Sequence, residues 1–537
     1  MAVDDDREVS AGKSNLSRIA SSASLMLFVG SLGSFSKLVE RIIIGNALGA
    51  DALGAVSIGI SLLTLGMTAA LVGFDKGVPR FMSRFDDDRD VRGAWLTGLL
   101  VAGIAGIAIS AILLFNGEWV ADLLLNEDAD IPPALLTLFV LSIPLVAGQQ
   151  IAIRAIQGFE NTIYRVYVRD LLYNGIRIAL LVVLLLAGVG VLAAGYAYVV
   201  SAALSVVVGF ALLNRLLPIR GAFRLHTRSM LSFSLPLVIS SVVTMVLSRI
   251  DTLMLAAFVP TEAVGIYNAA YPIAAGVPVL LSSFGFIYLP LVSRLDSEGE
   301  HDEIDRIHTL ITKWIYVLGF PVVLTLAAFS TDVVVALFRL SPENFASAGP
   351  ALAILVIGFF TSAAVGNCQN ALSAFGHTRL ILAINVTSAV ANVVLNVVLI
   401  RGLGPIPGYG VTGAALASAL SFSLLNLLAF AVLWYTRRIT PFSRWNVRTY
   451  LALPLVLVPP TVLLTRAVTL GLIGLAAFGL AAALATVVTV AVTGCLQSED
   501  VVPVEGIENR LGVEIPFIRR FIPETDERHE ILRDSDL

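Results

Sequence analysis

The chain has 537 residues, of which 57% are hydrophobic and only 14% charged, and its mean hydropathy is +0.88. A soluble globular chain carries roughly 25% charged residues, so this one cannot cover itself with a water-facing surface. A formal charge of −4 with a pI near 5.8 excludes the broad basic face that a nucleic-acid partner needs.

The first segment, residues 1–17, is acidic, with Asp4, Asp5, Asp6 and Glu8. It lacks the basic start and cleavage site of a secretory signal, so none is expected. Apolar runs long enough to cross a hydrocarbon core of about 30 Å then recur with short connections. The first six predicted spans are Ile19–Ile44, Ala52–Phe74, Ala94–Phe115, Pro133–Ile153, Val166–Ala187 and Val191–Leu213. The next six are Met230–Phe258, Ala263–Tyr288, Trp314–Phe338, Ala348–Phe375, Leu380–Ile400 and Val411–Trp434. A last pair is Tyr450–Leu464, which holds Pro454, Pro459 and Pro460, and Val468–Val492. The expected fold is therefore all-α and integral to the membrane, with about 14 transmembrane helices.

Lys and Arg set the orientation. They cluster after the second span (Lys76, Arg80, Arg84, Arg89, Arg92), after the sixth (Arg215, Arg220, Arg224, Arg228) and after the twelfth (Arg437, Arg438, Arg444, Arg448). On the other side, Asn116–Pro132 has five carboxylates and no cation, and only Arg339, Arg401 and Arg466 fall there. Both termini are expected in the cytoplasm, with the protein multi-pass in the cell membrane. The polar tail, residues 496–537, includes Val513–Ile522, which fits an interfacial helix against anionic lipid or an ordinary solvated tail. Few lysines, many arginines and acidic connections suit a high-salt cytoplasm, the habit of a halophile.

A faint repeat recurs at about 210 residues, as in transporters built by duplication. Ser83-Arg84-Phe85 is echoed by Ser293-Arg294-Leu295, and Glu40-Arg41-Ile42 by Ser248-Arg249-Ile250. Leu53-Gly54-Ala55-Val56 opens the second span as Val264-Gly265-Ile266-Tyr267 opens the eighth. Asn174 and Asn396 each precede a Gly-rich turn, Gly188-Val189-Gly190 and Gly402 through Gly410. The resulting division is a six-helix bundle over 18–214, a linker at 215–228, a second six-helix bundle over 229–438, and a helix pair over 439–495. An even number of spans per half makes the halves parallel, facing each other across a cleft.

This organisation, with Leu395-Asn396-Val397-Val398-Leu399-Ile400 running into Gly408-Tyr409-Gly410-Val411-Thr412-Gly413-Ala414-Ala415-Leu416-Ala417, resembles the polysaccharide transporters. These are lipid-linked oligosaccharide flippases of the multidrug/oligosaccharidyl-lipid/polysaccharide exporter superfamily. Gly265-Ile266-Tyr267, preceded by Arg249 and Asp251, fits the same pattern. The resemblance covers Leu16 to about Val492. It implies movement of a dolichyl- or polyprenyl-linked glycan to the outer leaflet, for surface polysaccharide or protein N-glycosylation. The partners it implies are that lipid-linked glycan, membrane lipid and glycan assembly enzymes, with the chain itself a monomer; no nucleotide site is visible.

Charges inside spans carry the functional signal, because one at mid-bilayer costs roughly 2.5–3.5 kcal/mol on insertion scales. Lys37, Glu40 and Arg41 share one helical face, as do Asp170, Asn174 and Arg177. Arg177 lies about 17 Å in from the cytoplasmic end, near midplane. Arg249 and Asp251 point to opposite sides of the seventh span, so each needs a partner on another helix or water. Lys37, Arg41, Arg177 and Arg249 are the candidate cavity cations for a lipid phosphate, since guanidinium groups grip such anions. Glu40, Asp170 and Asp251 are the supporting carboxylates. Gln149, Gln150, Asn367, Gln369 and Asn370 are candidate sugar contacts, although amides also join helices. Snorkelling to headgroups is the competing structural role for Lys37, Arg41 and Asp170.

No catalytic residue, cofactor or metal is assigned. Cys368 and Cys495 stand far apart, and the five histidines fall on polar connections without metal spacing. Gly12-Lys13-Ser14 lacks the rest of a P-loop, and Gly188-Val189-Gly190 the rest of a dinucleotide fingerprint. Asp86-Asp87-Asp88 reads as a solvated acidic loop with arginines interleaved. Two rivals to the flippase remain: a cation-coupled multidrug exporter using Glu40 or Asp251, and a membrane-embedded glycosyltransferase using Asp86–Asp88.

Overall fold

The computed structural model describes the backbone of residues 2–125 and 131–500, and their side chains except at 2–34, 281–284, 286–287 and 499. The tail segment Val513–Ile522 and the P-loop-like Gly12-Lys13-Ser14 lie outside these described side chains. In chain order the helices are α1 (Ala2–Leu71), α2 (Phe74–Met82), α3 (Asp88–Phe115), α4 (Gly117–Leu124), α5 (Ala134–Gly158) and α6 (Thr162–Val166). A π-helical stretch, Tyr167–Ile176, leads into α7 (Arg177–Leu186), followed by α8 (Leu192–Leu216), α9 (Thr227–Phe258), α10 (Thr261–Glu298) and α11 (His301–Ala328). Then come α12 (Ser330–Leu337), α13 (Pro342–Phe345), α14 (Gly349–Val365), α15 (Cys368–Ala374) and α16 (Thr378–Asn396). A second π-helical stretch, Val397–Arg401, precedes α17 (Gly410–Arg437), α18 (Arg444–Ala467) and α19 (Leu472–Val492).

Among the described residues, 12 helical segments are long and apolar enough to cross a membrane. Two of the expected spans, of about 14, do not stand among them as separate helices. The first two predicted spans lie on either side of a kink within α1 at Gly49 (φ +82°), a left-handed backbone that glycine adopts without steric cost. The fifth is divided among α6, the π-helical stretch and α7, none of which is long enough alone. The proline-bearing thirteenth span is continuous as α18, as membrane helices permit when the freed carbonyls find other partners. The outer faces carry large apolar side chains, such as Ile473 at 87% and Leu480 at 75% exposure. A soluble protein does not display such a surface.

By contact, the chain forms two compact units. One comprises residues 1–272, 338–345 and 393–414; the other comprises 273–337, 346–392 and 415–537. This grouping by contact is distinct from the division by duplication, because α9 and the start of α10 pack on α1. The cause is visible in the glycines of the first unit. A Cβ on Gly54 would lie 2.0 Å from the carbonyl oxygen of Thr261, and one on Gly265 would lie 1.9 Å from that of Ala50. Gly54 and Gly265 stand 211 residues apart, as do Ala50 and Thr261. Each copy of the repeat thus presents its glycine to the other copy's backbone, the reciprocal contact that a two-fold relation produces.

In the second unit, α10, α11, α14, α15 and α17 enclose a core around Tyr288, Cys368 and Leu372. His308 belongs to this core and not to a polar connection: it is buried in α11, with Nδ1 2.7 Å from the Tyr288 hydroxyl. Lys313 of α11 is fully buried and ion-paired with Asp500, which also accepts a 2.8 Å hydrogen bond from Trp314 Nε1. That pair fastens the segment beyond α19 to α11.

Candidate functional site

The first unit gathers the intramembrane charges of α1, α7 and α9. Arg177 is buried and its Nη2 lies 3.0 Å from Glu40 Oε2. Its guanidinium also packs over the rings of Tyr198, at 4.5 Å, and Tyr173, at 4.9 Å. The Tyr198 hydroxyl donates to Glu40 at 3.4 Å. Arg41 is buried as well, donating to Ser57 and, at 3.1 Å, to Asn268 Oδ1. Asp251 accepts from Asn396 Nδ2 at 2.6 Å and from the Tyr267 hydroxyl at 3.0 Å. Its position on α9 required partners from other helices, and α16 and α10 supply them.

Glu40 and Asp251 are separated by the same 211 residues as the crossing glycines. The geometry therefore aligns Glu40 with Asp251, three residues away from the register in which Arg41 answers Arg249. In each copy a buried carboxylate is held by a polar side chain from a later span, Arg177 in one and Asn396 in the other. Both holders adjoin a π-helical stretch, a deformation frequent at functional positions.

Two of the four candidate cations remain accessible. Lys37 is exposed and Arg249 half-buried. The charges acting on Lys37 are those of Arg249, Arg177, Arg169 and Glu40. Arg249 acts on Arg41 as well as on Lys37. With Arg169 and Asp170 included, five cations against three carboxylates leave the cluster with an excess of two positive charges.

The remaining sequence candidates divide. Asp170 is half-buried and sits 3.8 Å from Arg169, with Lys37 among the charges acting on it. Gln149 is fully buried, with neither end of its amide bonded among the described residues, and Gln150 is half-buried. Asn367, Gln369 and Asn370 come together in the second unit, where they line a cavity of about 210 Å³ with Ser362, Asn426 and Phe422. That convergence follows from a break in the tenth span at Gly366 (φ +75°), where a Cβ would lie 2.1 Å from Thr312 Oγ1. Asn367 Nδ2 is buried there without a partner among the described residues. The broken helix thus turns amide groups into a polar recess, the permitted use of irregular backbone at membrane depth.

Sequence reasoning missed Ser57, Tyr173, Tyr198, Tyr267 and Asn268, which complete the charged cluster. Their signal was present: hydroxyls and an amide within apolar spans.

Residues 19–296 match the family model described as polysaccharide biosynthesis protein, which is more than half of the chain. The chain belongs to the polysaccharide biosynthesis protein family. A second model, MatE, matches residues 236–398. The family assignment is consistent with two similar proteins of Haloferax volcanii. The probable flippase AglR is 30% identical over 193 residues, 35% of this chain and 38% of AglR. The probable low-salt glycan biosynthesis flippase Agl15 is 26% identical over 203 residues, 38% of this chain and 41% of Agl15. The matched stretch thus spans about two fifths of either relative. A probable multidrug resistance protein NorM of Bacillus thuringiensis is 24% identical over 214 residues, 40% of this chain and 46% of NorM. Among solved structures, the lipid II flippase MurJ in its inward closed conformation has a TM-score of 0.70 at 13% identity, covering 86% of this chain and 97% of MurJ. An inward-facing MATE multidrug resistance transporter gives 0.60 at 16% identity, covering 76% of this chain and 94% of that one. At these identities the likeness is one of fold.

Proposed function

We propose that the chain flips a dolichyl- or polyprenyl-linked sugar phosphate or pyrophosphate from the cytoplasmic to the outer leaflet. It does so by alternating access, with transport and not covalent chemistry as its activity. The observation that carries this reading is the cluster's excess of two positive charges, with Lys37 and Arg249 open to an approaching anion. Arg41 and Arg177 are buried and engaged, so they set the local potential while Lys37 and Arg249 meet the phosphate. The flippase names of AglR and Agl15 support the same class of cargo. The amide-lined recess of the second unit suits sugar hydroxyls. The arginine-rich connections support a cytoplasmic location for both termini.

The test is a leaflet-resolved assay of lipid-linked sugar in a deletion strain carrying Lys37→Ala/Arg249→Ala. Two charge-assisted hydrogen bonds at about 1.5–3 kcal/mol each predict at least a hundredfold loss of flipping, with the protein still inserted. Normal outer-leaflet glycan in that variant would refute the anion cluster.

The MatE match and the NorM relative favour one second reading, a cation-coupled exporter. That reading predicts transport of a cationic dye in vesicles, abolished by Asp251→Asn; the flippase predicts no dye transport in either protein. The glycosyltransferase reading is weaker on geometry, because two of its three aspartates already have structural tasks. Asp87 caps α3 by accepting from Arg89 N at 2.8 Å, Asp88 pairs with Arg92 at 3.3 Å, and neighbouring Asp90 holds His226 at 3.0 Å.

A further inference from the structure

A second cavity in the first unit, of about 620 Å³, lies among α2, the end of α5 and α6. Its walls carry Lys76, Arg80, Arg154 and Arg165 against only Asp75 and Glu160. None of its residues belongs to the Lys37–Arg249 cluster. Among the described residues none of the four cations makes an ion pair, and Arg154 Nε is buried without a hydrogen-bond partner. Arg154 Nη1 is steadied by Gln157 Oε1 at 2.9 Å, while Arg80 rests over the Phe233 ring at 3.9 Å. Arg169 and Arg154 act on Arg165 with like charge, more strongly than Asp170 acts on it with opposite charge, an arrangement that an anion would relieve.

The backbone is fixed to match. Glu160 stands at φ +57°, a left-handed conformation that persists for such a residue only where its surroundings hold it, often beside a ligand. Its amide donates to Gln157 O at 2.9 Å, and Asn161 caps the following turn by accepting from Tyr164 N at 2.9 Å. Beyond the cavity, Ile163 is 70% and Tyr167 46% exposed, which gives a hydrocarbon chain a surface to lie on.

We propose that this cavity is a second anion site, taking the phosphate headgroup of a membrane lipid whose chain lies along Ile163 and Tyr167. Arg154 and Arg165 grip the phosphate as planar forks, and Lys76 and Arg80 guard the entrance. The site does not depend on which cargo the chain transports. A free phosphate would satisfy the same groups, so the experiment separates the two sources.

Purified full-length protein in detergent is photo-cross-linked with a diazirine-bearing phosphatidic acid, and the labelled peptides are mapped. Labelling is expected on residues 159–167 in the wild type, with at least about a tenfold loss in Arg154→Gln/Arg165→Gln. The accessible pair Lys76→Gln/Arg80→Gln, which leaves the packed part of the cavity intact, is expected to lower labelling several-fold. Inorganic pyrophosphate that competes away the label shows that the phosphate alone suffices; persistence of the label assigns affinity to headgroup and chain together. Equal labelling in wild type and both variants, or equal labelling by a diazirine-bearing diacylglycerol without phosphate, would overturn the site.

Discussion

Glu40→Gln is expected to destabilise the protein by about 3–5 kcal/mol, the cost of leaving a buried charge without its partner. Arg177 is 3% exposed, and Glu40 is the carboxylate within 3.0 Å of it. The faces of Tyr173 and Tyr198 attract a cation but carry no net charge to balance it. Glutamine keeps the shape and can still accept from Tyr198, so the loss isolates the charge. The measurement is the unfolding midpoint of purified protein in detergent. The double variant Glu40→Gln/Arg177→Gln is expected to recover much of the loss, because it leaves no unpaired ion. A single variant as stable as the wild type would mean that Arg177 is neutralised by something other than Glu40. The corresponding step in the other copy, Asp251→Asn, should cost less, since the holder of Asp251 is the neutral amide of Asn396.

The membrane-spanning character was legible because hydropathy over some 20 residues reports directly on a bilayer. Charges within those spans were legible for the complementary reason, that hydrocarbon tolerates few of them. What the residue string did not disclose is who pairs with whom. Arg177 reads as a free cavity cation until Glu40 is seen beside it. Lys37, assigned equally well to the headgroup region, is exposed and has Glu40 and three arginines acting on it. The register of the repeat slipped by three residues because identical arginines, Arg41 and Arg249, attract alignment more strongly than Glu40 with Asp251. The fifth span looked like an ordinary helix, since a π-helical stretch leaves no mark on hydropathy. Arg154 and Arg165 escaped notice at span ends, where arginine is ordinarily solvated. His308 looked solvated for the same reason, with Asp302, Glu303 and Asp305 just before it.

Gly54→Ala and Gly265→Ala are each expected to disrupt the crossing of α1 and α10, and to do so alike. The added methyl meets a backbone carbonyl at 2.0 Å in one case and 1.9 Å in the other. Backbone cannot rotate aside as a side chain can, so each cost falls at or beyond the upper end of the 1–3 kcal/mol usual for overpacking. Gly103→Ala in α3 is the control: nothing lies within 4 Å of its Cβ position. There the change should be neutral or stabilising, by up to about 1 kcal/mol of helix propensity. Yield of folded protein and unfolding midpoint measure all three. Matched losses at positions 54 and 265 are what a shared axis between the two copies predicts, the same 211-residue register that relates Glu40 to Asp251. Tolerance at one position with loss at the other would break that equivalence. The shared register of the two acids would then be an accident, and the later helices that hold them would owe nothing to duplication.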